Sequence, residues 1–311
     1  MRRRPVGYLF ILPAGLLLAV FLYFPLAYSF MISFTRWDLS ATRTFIGLDN
    51  YRAIIASSEF WNSVLYTFYY VLGVLPFSLA IGLGVALLLR DSNMKGVGFF
   101  RMIYFMPVVT SPIAAAMGFS WIFNTQLGYA NYVIESMGGE PVNWLTNYNG
   151  IFQLLFERFG IQLPHILQGP SVALTVIILL GIWQNIGYAT VVYLAGLQGI
   201  PQAFYEAARI DGASPSKILR KITLPLLSPT TFFLLIVFAI LSFQVFGPVQ
   251  VMTPQGGPLQ TTSVIVFRLY QQAFSYYRFG YASAMAFLAF SMILLITLFQ
   301  MKFVERKVYY E

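Results

Sequence analysis

Residues 201–225 read P-Q-A-F-Y-E-A-A-R-I-D-G-A-S-P-S-K-I-L-R-K-I-T-L-P, a polar interruption with long apolar runs on either side. Pro201 suits the first turn of a short helix, where its missing N–H would be unpaired anyway. Glu206, Ala207 and Ala208 favour helix. Phe204, Ala207, Ala208 and Asp211 then share one face at i, i+3, i+4 and i+7. The two alanines on that face let another backbone come close. Gly212 can take the left-handed conformation that ends a helix. Ser214 fits the N-cap, and Pro215 the first position, of a second helix. The stretch predicts helix, sharp turn, helix. Lys217, Arg220 and Lys221 fall where the second helix leaves water for the membrane.

The flanks of this stretch set the fold class. The chain has 311 residues, 58% of them hydrophobic and 10% charged, with a mean hydropathy of +0.71. A soluble domain carries about 25% charged residues. Six runs, near 8–34, 65–89, 102–123, 172–197, 223–246 and 281–301, contain no Asp, Glu, Lys or Arg. Each reaches the roughly 20 residues needed to cross about 30 Å of hydrocarbon. The expectation is an all-α polytopic membrane protein with six transmembrane helices. It divides into a first helix with its outer loop (1–64), a core (65–303) holding the 201–221 loop, and a short tail (304–311).

Six spans put both termini on one side. With the N-terminus inside, 13 Lys and Arg face the cytoplasm: Arg2, Arg3, Arg4, Arg90, Lys95, Arg101, Arg209, Lys217, Arg220, Lys221, Lys302, Arg306 and Lys307. Six (Arg36, Arg43, Arg52, Arg158, Arg268 and Arg278) face out. The positive-inside rule selects this orientation and places the 201–221 loop in the cytoplasm. The net charge of +8 is thus a topology signal and a match to anionic membrane lipid. No basic stripe with interleaved aromatics lies in a soluble segment, so no nucleic-acid partner is expected. Cysteine is absent, which excludes thiolate chemistry. The start resembles a signal peptide, but the apolar run continues to Phe34 without a small-x-small cleavage site, so it reads as a retained span.

The string E-A-A-R-I-D-G-A-S…I-T-L-P-L closely resembles the EAA loop of inner-membrane permease subunits of ABC importers. Its flanks resemble the sugar-importer branch, specifically the larger of the two paralogous permeases. F-I-G-L-D-N-Y at 45–51 and T-P-Q-G-G-P-L-Q-T-T at 253–262 extend the likeness over nearly the whole chain. The resemblance implies the type I importer permease fold in a bacterial or archaeal cell membrane. It implies that the loop docks into a cleft of an ATPase subunit, with Glu206, Ala207, Ala208, Asp211 and Gly212 as coupling residues. The implied partners are a second paralogous permease, two ATP-binding ATPase subunits, an extracytoplasmic solute-binding protein and a carbohydrate substrate. The 253–262 loop would lie near the binding protein. The stretch 148–169 looks inserted relative to the usual family length. Glycerol phosphate or another polyol is an alternative cargo.

Polar residues inside the spans are the candidates for the pathway. Trp183, Gln184, Asn185 and Tyr188 fall near the middle of span four, and Phe238, Ser242 and Gln244 in span five. Unpaired amides in lipid are costly, so they face a bundle interior or a watery cavity. Aromatic planes can stack on sugar C–H faces while amides pair with hydroxyls. The other reading is that the amides only bond a neighbouring helix. Gly181 and Asn185 stand in reverse order to the Asn-x-x-x-Gly spacing of some relatives. In span three, Pro107 and Pro112 predict a kink, either a pathway bend or a packing device. Gly82, Gly84 and Ala86 permit close packing in span two, and Ser283, Ala284, Ala286 and Ala289 in span six. Trp37 and Trp61 read as interfacial anchors in an outer loop over 35–63. Ile151, Leu154, Leu155 and Phe159 align at helical spacing in a long outer segment.

Catalytic chemistry finds no support. The chain has no G-x-x-x-x-G-K-[ST], so it cannot cradle ATP phosphates by a P-loop. His165 is the only histidine and has no partners for a metal set or a triad, so it reads as a loop residue and no cofactor is expected. An ion-coupled secondary transporter is the other alternative; ion coupling usually shows as Asp, Glu or His within a span, or as broken helices with internal symmetry, and no such acid lies within a span. A membrane scaffold would leave the mid-span polar residues and the loop unexplained.

Overall fold

A computed structural model describes residues 6–39, 42–90, 97–157 and 159–309. Arg2, Arg3, Arg4, Lys95 with the rest of 91–96, Arg158 and the last two residues of the tail lie outside these. Among the described residues, five helices are long and apolar enough to cross a membrane: Phe10–Ser33, Ser58–Leu88, Val172–Gly199, Ser228–Met252 and Phe279–Val304. The remaining expected span is broken. Met102–Val109 and Pro112–Ile122 meet at 107°. Pro107 stays inside its helix. The break falls before Pro112, because a residue preceding proline is driven out of the helical region, and Ser111 adopts φ −55°, ψ 129°. The first span meets a proline differently. A five-residue π-helical turn, Ala19–Tyr23, precedes Pro25, and the Phe24 N–H reaches back to the Ala19 carbonyl. A wide turn beside a residue that cannot donate keeps the rod continuous.

The described residues form two compact units. The first holds the described residues among 1–61 and 268–292. Here the 45–51 string acts as a brace. Asn50 donates its amide to the Ser33 and Thr35 carbonyls at 2.8 and 3.0 Å, at the end of the first span. Tyr51 Oη lies 2.8 Å from Ser33 Oγ. Thr35–Arg36 pairs antiparallel with Thr44–Phe45, a small ladder that the all-helical expectation did not include. Gly280 packs so closely on the Thr35 carbonyl that a side chain has no room. Phe30 meets Phe287 edge-on at 4.9 Å, and Ser29 donates to Ser283 at 3.3 Å. Arg268 is buried, which pulls its pKa below the usual arginine value, and it pairs with Glu59. The 35–63 segment is mostly not loop. Asp49–Ala56 is helical, and span two starts at Ser58, earlier than its apolar run, with the Ser57 hydroxyl accepting from the Phe60 N–H. Trp61 therefore belongs to a helix, half exposed. Trp37 packs on Phe279 at 5.6 Å with the Arg43 guanidinium 4.0 Å from its ring.

The second unit holds the described residues among 62–267 and 293–311. Its core has two apolar clusters. One gathers Tyr70, Val74, Leu174, Ile177, Leu180, Val249 and Phe267; the other Leu89, Tyr193, Leu197, Tyr205, Leu227 and Phe238. Small residues let backbones approach. A methyl group at Gly82 would meet Ala189 Cβ at 2.5 Å, and one at Gly187 would strike the Tyr104 carbonyl. Gly84 has nothing nearby and plays no such part. The 124–171 segment carries helices Tyr129–Ser136 and Ile151–Glu157. Phe159 lies beyond the second helix, which stops before the left-handed Gly160, so the expected four-residue stripe is cut short. Tyr69 ties this segment down by donating to the Ile166 carbonyl at 2.7 Å. At the far end, the Tyr309 N–H donates to Ser228 Oγ at 2.9 Å.

Candidate functional site: an exposed helix-turn and a mid-span cavity

Pro201 takes the N-cap position, and the helix runs Gln202–Ile210. Asp211 caps its C-terminus and Gly212 turns left-handed at φ +71°. The Ala213 N–H closes the turn on the Ala208 carbonyl at 2.9 Å, a six-to-one closure that favours glycine at the turn. Ser214 and Pro215 begin the next helix as the sequence predicts, although the Ser214 hydroxyl makes no capping bond. Glu206, Ala207 and Asp211 are exposed and Ala208 half-buried. Phe204 is 47% and Ile210 86% exposed. Exposed apolar side chains beside a carboxylate, on a helix held by a rigid turn, make a surface suited to a partner protein.

The opposite side of this helix is anchored by a residue that the sequence reading passed over. Tyr205 is 4% exposed and packs in the cluster with Leu89, Leu197, Ile200 and Leu227. Its Oη lies 3.3 Å from Thr223 Oγ1. The Arg90 guanidinium stands 4.0 Å from its ring centre. An aromatic residue at the flank of the alanine face, three positions before Ala208, is the signal that could have found it.

The second feature is a cavity of about 430 Å³ lined by Tyr70, Pro112, Ile113, Gly181, Gln184, Asn185, Leu241, Ser242, Gln244 and residues 245–248. Gly181, Gln184 and Asn185 lie at i, i+3 and i+4 of the Val172–Gly199 helix and so share a face. Gly181 leaves room for the Tyr70 hydroxyl, which an added methyl would meet at 2.5 Å. Ser242 is 3% exposed, and its Oγ is buried with no hydrogen-bond partner. Gln244 caps the Ser228–Phe243 helix. Thus four of the seven candidates (Gln184, Asn185, Ser242 and Gln244) converge on one space. The other three do not line it. Trp183 packs on Phe119 at 5.7 Å, and Tyr188 pairs with Phe238 at 6.0 Å, the latter ring fully buried. The break before Pro112, which the sequence offered as a pathway bend or a packing device, stands on this wall. Tyr70 is a wall element that the sequence reading missed; a tyrosine mid-span was the available signal for it.

None of the lining residues is charged. Amides and hydroxyls both donate and accept. The buried Ser242 hydroxyl is left wanting a bond, which costs about 1–3 kcal/mol until something supplies it. Broken backbone at this depth is tolerated where it lines a water-filled cavity. Such a space can hold a neutral, hydroxyl-rich molecule in transit. It carries no groups for covalent chemistry.

A family model described as binding-protein-dependent transport system inner membrane component matches residues 52–309. The chain belongs to this family. The permease is an integral, multi-pass subunit of an ABC importer and not itself a catalyst. It is 32% identical over 306 residues to the trehalose/maltose transport system permease protein MalF of Thermococcus litoralis, covering 97% of this chain and 94% of that one. It is 30% identical over 308 residues to the sn-glycerol-3-phosphate transport system permease protein UgpA of Agrobacterium fabrum, covering 97% and 96%. Its fold is similar to that of a chain in the crystal structure of a bacterial ABC transporter for the acidic polysaccharide alginate. There the TM-score is 0.79 at 23% identity, with 97% of this chain and 95% of that chain covered.

Proposed function

We propose that this permease forms half of the import pathway for a neutral sugar or oligosaccharide. The other half is a second, paralogous permease. The observation that carries the reading is the uncharged cavity, whose wall includes Gln184, Asn185, Ser242 and Gln244. A sugar hydroxyl both donates and accepts, and so satisfies amides and a serine together. The curated relatives include permeases named for trehalose/maltose and for glycerol phosphate. A phosphate would call for Arg or Lys in the wall, so the neutral cargo fits better.

Both termini and the 201–221 loop face the cytoplasm in this reading, as the distribution of Lys and Arg favours. The Gln202–Ile210 helix is the coupling helix. It docks on one of two ATP-hydrolysing subunits, with Glu206 as its charged contact and Gly212 fixing the angle of the turn. Closure of the ATPase pair draws two such helices together and rocks the spans, so that the cavity opens outward, where a solute-binding protein delivers its cargo.

The test is uptake of labelled maltose, trehalose and sn-glycerol-3-phosphate by the assembled transporter, with the partner solute-binding protein titrated against the same panel. Uptake of a neutral sugar supports the reading, and Asn185→Leu should lower it about tenfold or more, since a lost buried hydrogen bond costs about 1–3 kcal/mol. Uptake of glycerol phosphate alone, or full uptake by Asn185→Leu with Gln184→Leu, would sink it.

A further inference from the structure

The coupling helix is joined by the chain to span four before it and span five after it. It has no covalent link to the Ser58–Leu88 helix. The two meet through side chains: Tyr205 packs in the same cluster as Leu89, and Arg90, next along the chain, holds its guanidinium 4.0 Å from the Tyr205 ring centre. We propose that Arg90 and Tyr205 are positioning residues that clamp the coupling helix to the end of span two and make one mechanical body of them. The proposal rests on the coupling reading given above.

Three observations support the clamp. First, the ring is buried, and a cation over a desolvated aromatic face is held more strongly than in open water. Second, the tip of the side chain is tethered on the far side, because Tyr205 Oη lies 3.3 Å from Thr223 Oγ1, a tether additional to the cation–ring contact. Third, Arg90 lies two residues past the C-terminus of the Ser58–Leu88 helix, whose free carbonyls favour a cation nearby. A push on the coupling helix then enters span two directly, besides spans four and five. Span two is also the helix that carries Tyr70 on the cavity wall. At 1.5 Å per residue, the arm from Arg90 to Tyr70 is about 30 Å.

The absence of native cysteine makes a direct test practical. Spin labels go on Leu88→Cys, 71% exposed, and on Arg209→Cys, also exposed and off the alanine face. The labelled permease is studied in the assembled transporter in lipid nanodiscs. Pulsed EPR distances are measured without nucleotide and with MgATP plus vanadate. The expected result is one narrow distance, the same in both states. Arg90→Gln or Tyr205→Leu should raise the population of a second, longer distance roughly three- to tenfold, the range that loss of a half-desolvated cation–ring contact corresponds to. Arg90→Lys and Tyr205→Phe keep the cation and the ring and should preserve the single distance, a rescue that mere bulk would not require. A distance that moves with nucleotide in the otherwise native protein overturns the rigid clamp. So does a narrow distance that survives Arg90→Gln and Tyr205→Leu together in complexes that still retain their ATPase subunits. The underlying reading is checked separately with Glu206→Lys. If that variant holds the ATPase subunits through purification as well as the native chain does, the docking role fails, whatever the label distance shows.

Discussion

At the scale of single residues, Gly212 and Ser242 carry the most weight. Gly212 sits at φ +71° with nothing near the position of an added Cβ, so the obstacle to a side chain there is backbone conformation and not space. A left-handed L-residue costs about 1–2 kcal/mol. Gly212→Ala should therefore lower stability modestly and keep the turn. Gly212→Pro cannot reach positive φ at all, so it should break the turn after the Gln202–Ile210 helix and, on the proposed coupling role, abolish stimulated ATP hydrolysis in the assembled transporter. Full hydrolysis coupled to uptake in Gly212→Pro would show that the turn is dispensable. Ser242 makes the opposite case. Its buried oxygen has no partner, so Ser242→Ala should leave the thermal midpoint unchanged or slightly raised while uptake falls about tenfold. A protein that loses stability and keeps its uptake would point to a structural hydroxyl instead.

Among the elements, what the sequence could reveal depended on how local the cause was. The Pro201–Pro215 turn was legible residue by residue, because caps and left-handed glycines act within a few positions. Gln184 and Asn185 stood out because amides are anomalous in an apolar run. Their convergence with Ser242 and Gln244 depends on how two helices pack, and pattern alone could not supply it. Trp183 shows the limit: an aromatic residue fit to stack on a sugar is equally fit to stack on Phe119. The small residues show it again, since Gly82 is pressed against Ala189 while Gly84 faces open space. That contrast is measurable. Gly187→Ala drives a methyl into the Tyr104 carbonyl and should cost about 1–3 kcal/mol by forcing two helices apart. Gly84→Ala should be neutral, or stabilising by up to about 1 kcal/mol, since alanine is the better helix former. Thermal unfolding of the two detergent-solubilised variants would separate them, and equal midpoints would contradict the packing seen here.

For the whole molecule, the question is which way it faces. We propose that the 201–221 loop lies inside, as the charge asymmetry favours, and a chain without cysteine allows a clean check. Ser216→Cys and Leu127→Cys place single thiols at exposed positions in the 201–221 loop and the 124–171 segment. A membrane-impermeant maleimide applied to intact cells should label Leu127→Cys, and should reach Ser216→Cys only after the membrane is opened. The reverse pattern would turn the molecule over and remove the coupling helix from its motor.

The 107° break before Pro112 has one more consequence. The Ile113 and Ala114 N–H groups that open the Pro112–Ile122 helix have no carbonyl behind them within that helix, Pro112 itself having no N–H to offer, and Ile113 stands on the cavity wall. Main-chain groups are spelled the same way by every amino acid. On the proposed reading, part of the grip on a sugar comes from main chain, and erasing all four polar side chains should dull the selectivity of the pathway before it empties it.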